Sequence, residues 1–199
     1  MAKVKQFSKK VVTPKAVAVY PWLNSPDTRF GNTQYKVNLT FKGEEGQKFY
    51  DMVVATAQEA LAYQKDIDPA FKKIKELKLP IVPAEDENGN EIDGEYTMKI
   101  KSNAFITVAG EQIEIKPSLV DANKAKFEGR IYGGSLIKCA ISLVPYSGFG
   151  GGLTARLDAV QVLTASEGGG SSDAFDVEDG YGESTTSDEA DAGEDDEDF

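Results

Sequence analysis

Charge is divided along this 199-residue chain in a way that separates what can fold from what cannot. All 22 Lys and Arg residues fall within residues 1–166, alongside 19 Asp and Glu, for a net charge of +3. Residues 167–199 carry 14 acids and no base. That last stretch opens on Gly168-Gly169-Gly170-Ser171-Ser172, a flexible linker composition, and continues in Asp, Glu, Ser, Thr, Gly and Ala. It can bury too little apolar surface to offset its ordering entropy. The expectation is one mildly basic folded domain over 1–166 and a disordered acidic tail over 167–199. The overall pI of about 4.6 argues against a nucleic-acid partner only until the charges are mapped, because the folded part is the basic part.

The chain has one cysteine, Cys139, and no histidine. An internal disulfide and a Cys/His zinc site are therefore out, and so are the histidine-dependent hydrolytic triads. No phosphate-binding loop is present, since Gly133-Gly134-Ser135 lacks the Lys-Ser/Thr ending. The acidic turn Glu85-Asp86-Glu87 lacks the ligand spacing of a calcium loop and reads as solvated. The reading is a protein without catalytic activity, metal or cofactor. No 18-residue apolar run and no signal-peptide core occur, which points to the cytoplasm.

The folded part reads as mainly β with inserted helices, its strands closing into a small β-barrel that leaves no sheet edge. Residues 11–20 predict a first strand, and Pro21, Asn24, Ser25 and Pro26 predict a loop over 20–31. Residues 33–41 alternate, with Tyr35, Val37, Leu39 and Phe41 on one face and Gln34, Lys36, Asn38 and Thr40 on the other. Phe49, Val53, Ala57 and Leu61 recur every four residues in a helix over 44–63. A second helix begins near Asp68 with Pro69 at its first position, so the helical insertion spans 44–79. Strands follow over 95–108, 112–116, 135–145 and 154–164.

Candidate binding residues lie on the outward faces of these strands and in their connections. In 95–108, Tyr96, Met98, Ile100, Ala104 and Ile106 take the core face, and Lys99, Lys101, Asn103 and Phe105 the other. Two ammonium groups and a ring on one sheet face suit single-stranded nucleic acid, the cations meeting phosphates and the ring stacking on a base. The same pattern also fits ordinary exposed lysines with Phe105 under a loop. In 135–145, Ile137, Cys139, Ile141 and Leu143 face the core, while Lys138, Ser142 and then Tyr146 face away. Tyr146 is either a projecting ring or a packing residue at a barrel corner, and Phe149, among glycines, is either a mobile stacking ring or a plug. In the 20–31 loop, Trp22 either caps the barrel or contacts ligand, and Arg29 and Phe30 flank it. Arg130 and Tyr132 precede a Gly-Gly pair that permits close backbone approach or simply turns the chain.

The chain ends in Glu194, Asp195, Asp196, Glu197, Asp198 and Phe199. Acidic tails commonly just solubilise, which does not account for the final ring. A run of carboxylates mimics a phosphate backbone, so the tail can compete with DNA for the basic face at an effective concentration of roughly millimolar.

Taken in order, the segments Phe30-Gly31-Asn32, Tyr35-Lys36-Val37-Asn38-Leu39-Thr40, Met98-Lys99-Ile100-Lys101, Gly133-Gly134-Ser135 and Ser142-Leu143-Val144-Pro145-Tyr146, with the Asp198-Phe199 ending, resemble the single-stranded DNA-binding proteins of tailed phages. Residues 66–83 depart from that pattern. The resemblance implies one oligonucleotide-binding barrel, a monomer or weak homodimer, and roles in DNA replication, recombination and repair. It also implies recruitment of phage or host DNA polymerase and helicase through the tail. By motif position, Lys101 and Tyr146 are the residues expected to inherit DNA contacts. Two other readings stay open: a protein-interaction module with an acidic recruiting tail, and a carboxylate-metal nuclease.

Overall fold

The computed structural model describes residues 6–29 and 31–167. Phe30 and the segment from Gly168 to Phe199 lie outside the described residues, and with them the expectations for Phe30 and for the tail. The valine-rich start becomes two strands, β1 (Lys9–Val12) and β2 (Ala16–Asp27), where the sequence pattern predicted one. Pro14 has no N–H to give to a ladder. Thr13 bridges the break: its N–H donates to the Cys139 carbonyl at 2.9 Å, and its Oγ1 accepts from the Cys139 N–H at 2.9 Å.

β2 then continues through Pro21 and Pro26 to Asp27, where a loop was expected. It does so at the cost of register. Its pairing with β3 (Gln34–Lys42) is irregular between Val19 and Trp22 and again between Trp22 and Asp27, and Tyr20 sits at φ 49°. Such bulges are where a sheet admits proline. β3 follows its alternation, with Tyr35, Val37, Leu39 and Phe41 all buried.

α1 (Gly43–Ile67) starts directly after β3. Its stripe of Phe49, Val53, Ala57, Ala60 and Leu61 packs against β3, β5 (Glu91–Asn103) and β9 (Leu136–Tyr146). Phe49 meets Phe41 with ring centroids 5.1 Å apart, and Tyr50 stacks on Tyr96 at 4.8 Å. The second helix expected over 68–79 is a single 3-10 turn, Pro69–Phe71, capped by the Asp68 carboxylate, which accepts the Ala70 N–H at 2.9 Å. Phe71, Ile74 and Leu77 are buried, but their spacing of three belongs to a tight connection that does not continue as a helix. At Lys78 the chain is bonded to the start of β10 (Gly152–Thr164) through the Leu153 N–H (2.8 Å to the Lys78 carbonyl).

β4 (Ile81–Glu85) pairs with β5 (Glu91–Asn103). The strand expected over 95–108 divides at Ala104. Beyond it, β6 (Phe105–Val108) and β7 (Glu111–Glu114) form a separate two-stranded ribbon, so Ile106, expected in the core, is exposed. β8 (Ser118–Val120), β9 (Leu136–Tyr146) and β10 (Gly152–Thr164) complete the set. The ring closes in the order β2-β3-β5-β10-β9 and back to β2, antiparallel throughout except for the parallel β5–β10 seam. Five strands closed as a Greek-key ring are the oligonucleotide-binding barrel. β1 adds to β9, and β8 adds to β10.

Inside the ring Leu39, Met98, Ile137, Cys139, Leu143 and Val160 are wholly buried. Burial pushes the Cys139 thiol up to about 12. At the β9–β10 turn, Gly152 lies under the Tyr146 ring, its register partner, and Gly151 (φ 88°) backs onto Ile74, where a Cβ would stand 2.6 Å from Cδ1. A side chain at Gly151 therefore meets both a left-handed backbone and a buried neighbour. Gly151→Ala is expected to lower unfolding stability by about 1–3 kcal/mol, read from the urea midpoint at unchanged slope.

Candidate functional site

Strand register decides which outward side chains meet. Lys36 on β3 stands opposite Lys101 on β5, and Asn38 opposite Lys99. Across the parallel seam Lys101 is matched with Arg156 on β10, and Arg156 in turn with Ser142 on β9. On the other side Lys36 is matched with Trp22 on β2. Directly paired residues share a face of the sheet, so Arg156, Lys101, Lys36 and Trp22 form one row across four strands. Like charges set opposite one another destabilise a sheet. A row of three cations kept in this arrangement is thus suited to an anionic ligand that neutralises them.

Around the row the surface is hollowed. One depression, of about 670 Å³, is lined by Tyr20, Trp22, Arg29, Lys36, Lys99 and Lys101, among others. A second, of about 530 Å³, is lined by Lys10, Lys101, Lys116 and Arg156 and by two ribbon residues, Ile106 and Ile115. Lys101 lines both, so the two meet at its side chain. The Arg29 guanidinium lies 4.6 Å from the centre of the half-buried Trp22 ring, a cation–π contact that fixes the indole's attitude.

Beneath these cations sits Asp27, buried, with its carboxylate accepting the Arg29 backbone N–H (3.0 Å) and side chain (3.0 and 3.2 Å) and the Lys36 ammonium at 2.5 Å. The Arg29 side chain first, then Lys36, holds the Asp27 carboxyl far below its ordinary range. The same contact raises Arg29. Asp27 thereby orients two cations of the site and stays ionised throughout the physiological range.

Of the residues the sequence nominated, Trp22, Arg29, Lys99 and Lys101 come together in the first depression. Arg130 and Tyr132 lie just past Trp22 in a smaller hollow of about 320 Å³ that Trp22 also lines. Their loop is clamped by Asn24, which donates to the Gly129 carbonyl (2.8 Å) and accepts the Ile131 N–H (2.9 Å). The Arg130 guanidinium is 5.9 Å from the Tyr132 ring centre.

The others are placed elsewhere. Lys138 lines a different hollow with Lys48 and Phe49 of α1. Phe105 is on the ribbon, where alternation sets it on the face opposite Ile106. Tyr146 rests over Gly152 at the end of β9, half-exposed. Phe149 stands in the glycine turn at φ 52°, 97% exposed, its carbonyl accepting from Lys78 Nζ at 3.2 Å.

Five contributors escaped the sequence reading as ligand contacts: Lys10, Tyr20, Lys36, Lys116 and Arg156. Alternation had put Lys36 outward, but only register puts it beside Lys101. Tyr20 is 77% exposed in the left-handed region that a tyrosine rarely adopts, at the mouth of the first depression. Backbone strain of this kind concentrates at ligand sites. Among the described residues no three Cys, Asp or Glu side chains are grouped to hold a metal ion.

The fold has solved counterparts. gp2.5, a single-stranded DNA-binding protein encoded by bacteriophage T7, superposes with a TM-score of 0.67 at 27% sequence identity, covering 89% of this chain and 100% of its own. The single-stranded DNA-binding protein of bacteriophage Enc34, solved in complex with single-stranded DNA, superposes with a TM-score of 0.58 at 16% identity, covering 81% of this chain and 89% of its own. A C-terminal truncation of the Enc34 protein gives a TM-score of 0.57 at 15% identity, covering 84% of this chain and 95% of its own. No protein-family model and no curated protein sequence matches the chain.

Because Asp27 resists protonation in the folded state, it stabilises the fold above its unfolded value of 3.8, and that stabilisation is lost as pH falls through the lower folded value. Asp27→Asn should therefore melt at a lower temperature than the parent at about pH 7. The gap between the two should narrow steadily below about pH 4. Melting curves across that range check this, and a gap that keeps its size in acid would contradict the assigned role.

Proposed function

We propose that this chain, by fold a member of the phage single-stranded DNA-binding proteins, binds single-stranded DNA without reading its sequence, in the service of phage DNA replication and recombination. The observation that carries the reading is the row Arg156-Lys101-Lys36 running into Trp22 and Arg29. A DNA strand offers a regular line of phosphates and a line of unpaired bases. The cations take the phosphates and release condensed counterions, which makes affinity depend on salt. Trp22 and Tyr20 offer rings to the bases, and every base has a π-face, so stacking tolerates any sequence. Lys99 extends the cationic floor, and Arg130 with Tyr132 extends the track beyond Trp22.

Residues 167–199, with 14 acids and a terminal Phe199, compete with DNA for this floor as an intramolecular polyanion. When DNA displaces them, they recruit polymerase and helicase. The protein acts by binding alone, as a monomer or weak homodimer in the cytoplasm of the infected host.

Fluorescent oligothymidylate of about 30 nucleotides, titrated in a salt series, tests the whole reading. Tight binding that weakens with salt is expected, and residues 1–166 should bind more tightly than the full chain. Trp22→Ala and Tyr20→Ala should each cost about 1–3 kcal/mol of binding. Lys101→Ala should flatten the salt slope by about 0.7 for each phosphate left without its ammonium partner, whereas Lys138→Ala, outside the row, should change it least. An absence of binding in both the full chain and the truncated one would overturn the reading and favour a protein-interaction module. Equal affinity of the two would remove only the tail's competition.

A further inference from the structure

The ribbon of β6 and β7 has no place in the barrel. It belongs to a separate sheet, turning through Ala109-Gly110, both at positive φ as a two-residue hairpin requires. Its pairing sets Ile106 against Ile113 and Val108 against Glu111. The pairing extends to the base of the ribbon, where the Ile115 N–H donates to the Ala104 carbonyl at 2.7 Å. Alternation then gathers Ile106, Val108, Ile113 and Ile115 on one face, with Glu111 beside Val108 at its tip, and all five are exposed. A two-stranded ribbon with one bare, mostly aliphatic face is marginal in water on its own. Soluble surfaces rarely keep such a face without a use for it.

Position says what covers it. Ile106 and Ile115 line the second depression, whose floor carries Lys10, Lys101, Lys116 and Arg156, with the Asp158 carboxylate among them accepting the Ser142 hydroxyl at 2.6 Å. At the root, Lys116 is paired with Glu114 at 3.3 Å. The groove therefore has a floor that suits phosphates and a wall that suits apolar, flat groups, and it joins the Trp22 depression at Lys101. A second copy of the chain does not fit as the occupant. Four aliphatic side chains fall well short of the roughly 800 Å² per partner of a stable interface, and two such cationic rims would repel.

We propose that the ribbon is a thumb that closes over single-stranded DNA along this half of the groove. Ile106, Ile115, Ile113 and Val108 cover the bases while Lys10, Lys101, Lys116 and Arg156 hold the phosphates. The thumb extends the footprint past the Trp22 half and disfavours duplex, whose bases are stacked out of its reach. The inference rests on the DNA-binding reading above and adds a second, separately removable binding surface to it.

The test uses the full chain, two oligothymidylates of about 6 and about 20 nucleotides, and the double variant Ile106→Ser/Ile113→Ser. Both side chains are exposed, so the variant should keep the parent's melting temperature. The expected result is an approximately tenfold loss of affinity for the longer strand with less than about a twofold change for the shorter. A measurement on the parent chain needs no substitution: amide hydrogen exchange across 105–114 should slow when the longer oligonucleotide is added. Unchanged affinity for both lengths, or no protection of the ribbon, overturns the thumb while leaving the barrel site intact if Lys101→Ala still weakens binding. A dimer that the variant abolishes in sedimentation, with DNA affinity preserved, would instead assign the face to an interface between copies and overturn the thumb. If the parent binds neither oligonucleotide, the DNA-binding reading falls, and the thumb with it.

Discussion

The parallel seam between β5 and β10 is the joint on which the rest depends. It is the one parallel contact in a ring otherwise built from antiparallel neighbours, and it matches Ala155 with Ile100 and Arg156 with Lys101. The first pair faces inward and is buried, and the second faces outward. A slip of one residue would turn one of the two strands inside out; in β5 that exposes Ile100 and buries Lys101. Core burial on one face therefore enforces the alignment of charge on the other. The cations are held in line by the hydrophobic effect acting through the pleat, against their own repulsion.

That coupling explains which parts were legible in the sequence. Period-two alternation revealed the faces of β3, β5 and β9, and the four-residue recurrence of Phe49, Val53, Ala57 and Leu61 revealed α1, because these patterns record burial locally. Lys99 and Lys101 were recognisable for the same reason. The row itself was not, since the matching of Lys36 to Lys101 and of Lys101 to Arg156 is a property of strands far apart in the chain.

Where local signals misled, the cause is specific. Pro21 and Pro26 read as loop residues, yet β2 carries them in bulges. The alternation of 95–108 passes through Ala104 without a break in pattern, although the chain there leaves the barrel for the ribbon. Pro69, Phe71, Ile74 and Leu77 look like the start of a helix, but the Lys78 backbone is claimed by β10. In each case a tertiary partner overrode a local preference.

The single thiol has a practical bearing. Cys139 is wholly enclosed between β9's neighbours, hydrogen-bonded through its backbone to Thr13, and its ionisation is suppressed by burial. Thiolates react where thiols do not, so the buried Cys139 is expected to stay silent toward alkylating dyes while the chain is folded. One cysteine placed on the ribbon or beside the cationic row would be the sole labelling position, without first engineering the original away. The same silence turns Cys139 into a clock for opening of the barrel, since its modification reports the moment the ring comes apart.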